Sequence, residues 1–147
     1  MAKSMIDEVL KDIFIKEKFT DTNGVEIKID QIKGKVILFF TSLYCVDCID
    51  LLPHLKGIES YAEDHTVILF SDGDNNEIND MIEYFEWEFS VISSAEHSIT
   101  NYTTGFKFPF MMILDENKNV ECYGTTYNRE DIIFKMNTIK LNVNELD

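Results

Sequence analysis

Two kinds of apolar pattern, continuous runs and helical repeats, occupy most of this chain. The runs at 35–40 (KVILFF) and 66–70 (TVILF) are typical of strands buried on both faces, and we predict that they are parallel neighbours. Between them, apolar residues recur at helical intervals, at Cys48, Leu51, Leu52, Leu55 and Ile58. A strand, a helix and a second strand in this order and length predict a βαβ unit.

Further elements are predicted on both sides of this unit. The first residues keep helical spacing, at Ile6, Val9, Leu10 and Ile13. The dipeptide Asn23-Gly24 then lies within alternating residues and predicts a hairpin. Downstream, a second apolar stripe predicts a helix, at Ile78, Met81, Ile82, Phe85 and Phe89.

The last third of the chain predicts short elements and no second domain. A strand is expected at 90–94, and a short helix from about Ala95 to Tyr102. Apolar segments at 108–114 and 120–124 flank turn residues and predict an antiparallel hairpin. A helix start follows at Asn128. With no repeat or linker in view, we predict a single α/β domain over residues 1–147.

The charge of the chain limits its partners. It carries 27 Asp and Glu against 13 Lys and Arg, a formal net charge of -14. Such a chain repels phosphate backbones and anionic lipid, so we expect neither nucleic acid nor membrane as a partner. No stretch approaches the roughly 20 apolar residues of a membrane span, and acidic residues interrupt the start before a signal-type segment forms. We therefore expect a cytoplasmic protein.

The clearest chemical motif is the cysteine pair of FFTSLYCVDCIDLLPHL, residues 39–55. Cys45 falls at the first turn of the predicted helix, where free N–H groups and the helix dipole favour a thiolate. Cys48, one turn later, can reach Cys45 and resolve a mixed disulfide. A zinc site or inert thiols are the alternatives. The other candidate metal ligands are scattered, at His54, His65, His97 and Cys122, so we predict no metal.

With its two prolines, the chain resembles the thioredoxin family. A tyrosine, C-x-x-C and a proline five residues later occur at Tyr44 to Pro53, and the stretch GFKFP ends at Pro109. The segment at 19–40 and an extra helix and strand before Pro109 are most similar to the TlpA branch. The resemblance implies a thioredoxin-like fold, with a central mixed sheet flanked by helices, an N-terminal hairpin and a helix-strand insertion before a cis-proline.

The resemblance also implies an activity, thiol-disulfide exchange with protein or peptide substrates. Cys45 and Cys48 are then the catalytic pair. A cis Pro109 exposes the backbone of Phe108 to a substrate strand, with Tyr44 and Phe110 beside that groove. No organic cofactor is implied, because the two sulfurs hold the electrons.

Departures from the family pattern predict the redox poise. Two effects compete. Phe39 stands where thioredoxin has a buried aspartate, six residues before Cys45, and the absence of that negative charge favours the thiolate. Asp47 places a carboxylate beside the nascent thiolate, and no Lys or Arg lies between Lys35 and Lys56 to compensate. A thiolate without added stabilisation makes the pair a better electron donor, so we predict a reductase.

Two rival functions share this fold. Peroxiredoxins carry P-x-x-x-T-x-x-C and an arginine near the thiolate. Here Leu38 and Ser42 occupy the proline and threonine positions, and the sole arginine is Arg129. A non-catalytic thioredoxin-like adaptor is the second rival, which the presence of both cysteines and Pro109 disfavours.

Overall fold

The computed structural model describes residues 14–95 and 107–146, with side chains through Thr138. A short 3-10 turn, Phe14–Lys16, comes first. The strands are β1 Lys18–Thr20, β2 Glu26–Lys28, β3 Lys35–Thr41, β4 His65–Ser71, β5 Ser90–Ser93, β6 Phe110–Leu114 and β7 Val120–Thr125. The helices are α1 Val46–Leu51, α2 Leu55–Tyr61, α3 Asn75–Phe85 and α4 Arg129–Leu146.

Five strands form a mixed central sheet in the order β5-β4-β3-β6-β7. β3 pairs parallel with β4, as predicted, and antiparallel with β6 on its other side. The hairpins β1-β2 and β6-β7 are also confirmed. The sheet with its flanking helices confirms the predicted fold class.

Alternate residues of β3 face two different apolar layers. Ile37 and Phe39 pack with the helices, in a cluster that includes Leu51, Leu55 and Ile132. The intervening residues of β3 pack on the opposite face, against the N-terminal turn, with Phe14, Phe19 and Phe70. Because both faces are covered, every residue from Val36 to Phe40 is at most 2% exposed.

The helix after Cys45 is interrupted at Pro53. The 3-10 turn Leu52–His54 separates α1 from α2, because proline has no N–H to continue the helical hydrogen bonds. The apolar stripe predicted for this region stays buried across the break, from Cys48 to Ile58.

One predicted helix boundary is wrong, and two predicted helices lie wholly or largely outside the described residues. α3 ends at Phe85, whereas the prediction extended its stripe to Phe89. The N-terminal helix and residues 96–102 of the short helix are not described. The insertion before Pro109 therefore stays a prediction, although α3 and β5 do precede that proline. Within the described residues, no helix is long and apolar enough to cross a membrane.

Candidate active site

Three loops meet at one end of the sheet, where β3 and β4 finish and β6 begins. β3 ends at Thr41 and β4 ends at Ser71, and the two residues are paired in register. The start of β6 lies at the same end of the sheet, because Phe110 pairs with Phe40 in the antiparallel direction. The loop that leads to Cys45, the loop after β4 and the segment before β6 are thereby brought together.

Cys45 is the N-cap residue of α1. Its backbone is extended, with φ -112° and ψ 115°, and its Sγ accepts a hydrogen bond from the Cys48 N–H at 3.2 Å. The thiol also lies 3.9 Å from the carbonyl oxygen of Phe108, to which it donates. A capping sulfur at a helix N-terminus is placed where N–H groups favour a thiolate. Cys45 as a whole residue is partly exposed, which is typical of reactive cysteines.

Cys48 is fully buried one turn later. Burial raises the pKa of its thiol from the usual 9.0 to about 12, and hydrogen bonding to Cys45 adds to the rise. A hydrogen bond with the Ser42 backbone acts in the opposite direction, while the charges of Cys45 and Asp47 raise the pKa further. Cys48 is therefore a neutral thiol near pH 7, so of the two cysteines only Cys45 is placed to attack first.

Phe39 lies on the helical face of β3 and is completely buried. It packs in the cluster that contains Leu51 and Leu55, and at this position the strand offers no carboxylate to the cysteine pair. The local surroundings are apolar, which agrees with burial as the largest cause of the raised pKa of Cys48.

Exposed apolar side chains lie close to Cys45 in the sequence. Tyr44 is 92% exposed, Val46 76% and Ile49 43%. Tyr44 was predicted from the sequence to lie near the substrate, whereas Val46 and Ile49 were not. Both lie outside the buried apolar stripe of α1, and this spacing could have indicated that they are exposed. Asp47 is also exposed, and its effect on Cys45 stays a prediction.

The Phe108-Pro109 peptide bond is cis, as the resemblance implies. Pro109 is buried and its carbonyl oxygen accepts from the Thr126 N–H at 2.9 Å, while Phe108 is half-buried and near Cys45. The expectation that Phe110 lines the groove is wrong. Its side chain is 6% exposed and packs in the opposite layer, 6.2 Å from the Phe40 ring, because successive strand residues face opposite sides.

Asp72, which was not predicted from the sequence as a site residue, holds the loop before Cys45. Asp72, directly after β4, accepts hydrogen bonds from the Ser42 hydroxyl at 2.6 Å and from the Leu43 N–H at 2.8 Å. Asp72 is 30 positions from Ser42 and 29 from Leu43 in the chain, so only the pairing of β3 with β4 brings them together.

Solved structures with the same architecture exist. A secreted disulfide oxidoreductase from Mycobacterium tuberculosis, homologous to E. coli DsbE, matches with a TM-score of 0.72 and 11% identity, over 86% of this chain and 98% of its own. StoA from Bacillus subtilis matches with a TM-score of 0.64 and 16% identity, over 82% and 95%. The protein has a thioredoxin-like fold.

A solved peroxidoxin structure also has this architecture. Peroxidoxin BcpB from Mycobacterium tuberculosis matches with a TM-score of 0.69 and 11% identity, over 85% of this chain and 92% of its own. No family model matches the sequence, and no curated protein matches it. At these identities the likenesses establish the fold, and the chemistry rests on the site.

The site itself separates the rival chemistries. Leu38 is buried in the layer opposite α1, and Arg129 lies 3.9 Å from the position of a Cβ on Gly57, on α2. Gly57 belongs to α2, which begins only after the 3-10 turn Leu52–His54 that ends the helix capped by Cys45. The contact given for Arg129 is thus with α2 and not with the N-terminus of α1, where a peroxidase would need its arginine. Among the described residues, no three His, Cys, Asp or Glu side chains are grouped to hold a metal ion.

Proposed function

We propose that this protein is a thiol-disulfide oxidoreductase that reduces disulfides in polypeptide substrates through Cys45 and Cys48. The observation that carries the proposal is the difference between the two thiols. Cys45 caps a helix and is partly exposed, whereas Cys48 is buried one turn away with a pKa of about 12. This pairing supplies one attacking sulfur and one resolving sulfur.

The reaction proceeds in two exchanges. The Cys45 thiolate attacks one sulfur of the substrate disulfide, which breaks that bond and releases the other substrate sulfur as a thiolate. A mixed disulfide now joins Cys45 to the substrate. Cys48 loses its proton to solvent, attacks the Cys45 sulfur and releases the second substrate thiolate. The substrate gains two electrons, and the protein is left with a Cys45–Cys48 disulfide.

The surroundings of Cys45 support a polypeptide substrate. The exposed side chains of Tyr44, Val46 and Ile49 offer apolar contact area around the reactive sulfur. The Phe108 carbonyl lies 3.9 Å from the sulfur, and we assign Phe108 and the cis-proline that follows it, Pro109, to substrate binding. The substrate is then an extended segment that carries its disulfide to this apolar edge.

The charges that neighbour Cys45 in the sequence support the proposed direction of reaction. Asp47 lies two residues after Cys45, and no Lys or Arg lies between Lys35 and Lys56. A pair without such cations gains little stabilisation of its thiolate, which favours electron donation. A cytoplasmic location agrees with a reductase, since that compartment keeps the pair reduced. Fractionation that places the protein outside the cytoplasm would contradict this location.

Trapping tests the proposed chemistry. In Cys48→Ser, the mixed disulfide at Cys45 cannot be resolved, so we expect it to accumulate with a disulfide-containing polypeptide such as insulin. Cys45→Ser is the matched variant and should trap nothing. The wild-type protein should reduce insulin in the presence of dithiothreitol. Trapping through Cys122, or no trapping at all, would contradict the assignment and favour the adaptor.

A peroxidase is the second candidate function, and the similarity in fold to BcpB favours it. An assay of peroxide consumption distinguishes it from the disulfide reductase. Hydrogen peroxide and a dithiol reductant are mixed with the protein, and peroxide loss is followed. We expect no loss above that of the Cys45→Ser variant. Cys45-dependent consumption of peroxide that outpaces insulin reduction would favour the peroxidase instead.

A further inference from the structure

The carboxylate of Asp72 is joined to the loop before the cysteine pair at two points. Oδ2 accepts from the Ser42 hydroxyl at 2.6 Å, and Oδ1 accepts from the Leu43 N–H at 2.8 Å. Hydrogen bonds to a charged acceptor are shorter and roughly twice as strong as neutral ones. Asp72 therefore fixes both a side chain and the backbone of this loop.

Ser42 passes this restraint to both cysteines. Its carbonyl oxygen accepts from the Cys45 N–H at 3.2 Å, and its hydroxyl oxygen accepts from the Tyr44 N–H at 3.1 Å. Its backbone also hydrogen-bonds Cys48, which lowers the pKa of that thiol against the effect of burial. The position of Ser42 thus affects the geometry around each sulfur.

The loop that carries Asp72 is itself held firmly. The Gly73 N–H donates to the Ser71 hydroxyl at 3.3 Å, and the Gly73 carbonyl accepts from the Ser93 hydroxyl at 2.6 Å. A Cβ atom on Gly73 would lie only 2.9 Å from Cδ1 of Leu43, so the two loops are in close contact. The loop that carries Asp72 is therefore anchored to β4 and β5 by hydrogen bonds.

We propose that Asp72 is a positioning residue for the cysteine pair, which holds the segment Ser42–Tyr44 so that the Cys45 sulfur stays at the N-terminus of α1. This role concerns the same cysteine pair, and the importance of Asp72 for thiol-disulfide exchange rests on the proposed function. Without the carboxylate, the loop loses two restraints and the sulfur spends less time at the capping position. The thiolate is then less favoured, and Cys45 reacts more slowly.

Alkylation of Cys45 in the reduced protein tests this inference without any assumption about the substrate. The rate of reaction with iodoacetamide is measured against pH, with the modified cysteine identified by mass spectrometry. In Asp72→Ala we expect the pH midpoint for Cys45 to rise by about half to one unit, with a fall in rate at pH 7 of about three- to tenfold. Ser42→Ala should show a smaller shift in the same direction.

Asp74→Ala is the matched control. Asp74 lies in the same loop and also accepts a backbone hydrogen bond, from the Glu77 N–H at 2.8 Å, but it caps α3. We expect this variant to lose stability and to keep the wild-type pH profile. Asp72→Asn retains one side-chain oxygen for the Leu43 N–H and should fall between Asp72→Ala and wild type. It also provides a test if Asp72→Ala does not fold.

The direction of the shift in the alkylation midpoint distinguishes a positioning role of Asp72 from a purely electrostatic one. If Asp72 acted only through its negative charge, its removal would move the midpoint of Cys45 alkylation to lower pH. A downward shift, or a profile unchanged in both Asp72 variants, would overturn the proposal. If the shift is upward but wild-type protein fails to reduce insulin, the positioning role stands and the proposed function fails.

Discussion

The buried thiol of Cys48 makes the stability of the reduced protein depend on alkaline pH. Its pKa is raised from 9.0 to about 12 in the folded protein, chiefly by burial. Between these values the unfolded chain has lost the proton and the folded protein has kept it. A group whose folded pKa is raised contributes stability that is complete below the unfolded pKa and is lost as pH rises through the folded pKa. The reduced protein should therefore weaken above pH 9.

The size of this effect follows from the linkage relation. Each pH unit between the two pKa values costs about 1.4 kcal/mol of unfolding free energy for one proton. From pH 8 to pH 10, the loss attributable to Cys48 is about 1.4 kcal/mol, since little is lost below pH 9. Urea unfolding of the reduced protein at both pH values measures this loss.

Cys48→Ala provides the comparison, because it removes this one thiol and keeps every other ionisable side chain of the protein. The variant will be less stable at every pH, as it leaves a small cavity. Its additional loss from pH 8 to pH 10 should be smaller than that of wild type by about 1.4 kcal/mol. Equal losses in the two proteins would refute the reasoning, and with it the argument that Cys45 alone attacks first.

Three further predictions concern the surroundings of the pair. Asp47→Asn should raise the reduction potential by about 10–30 mV, as measured against glutathione, because an exposed carboxylate near the sulfur is removed; no change would mean that it points away. Cys122→Ser should leave insulin reduction at the wild-type rate, and a large loss would show that Cys122 takes part. Tyr44→Ser should raise the KM for insulin but leave the rate with a small disulfide unchanged, whereas Tyr84→Ser, at a residue 80% exposed on α3, should change neither. Equal effects of the two tyrosine variants would remove Tyr44 from the substrate surface.

Local patterns were sufficient to predict the strands and the cysteine pair. The continuous apolar runs of β3 and β4 reflect burial on both faces, and Cys45 and Cys48 are one helical turn apart wherever that helix lies. The end of α3 could not be predicted in this way. Glu86 ends the helix in a left-handed conformation, with φ 58°, where glycine or asparagine is the usual signal.

Contacts between distant segments account for what the sequence did not show. Asp72 meets Ser42 only because Ser71 and Thr41 are aligned by the register of β3 and β4, and no local pattern specifies a register. Phe110 is a different case, since alternation along β6 places it opposite to Pro109 and Met111. Because the sequence already predicts a strand over 108–114, alternation of its faces argued against a place for Phe110 in the groove.

The most direct test of the central claim is the redox equilibrium of the purified protein with glutathione. Samples at a series of glutathione ratios are quenched in acid and alkylated, and the disulfide is mapped by mass spectrometry. We expect a single two-electron transition of the Cys45–Cys48 pair, with a potential near the value of about -270 mV found for thioredoxin. A potential above about -200 mV would contradict a reductase, and the absence of a reversible Cys45–Cys48 disulfide would contradict the oxidoreductase itself.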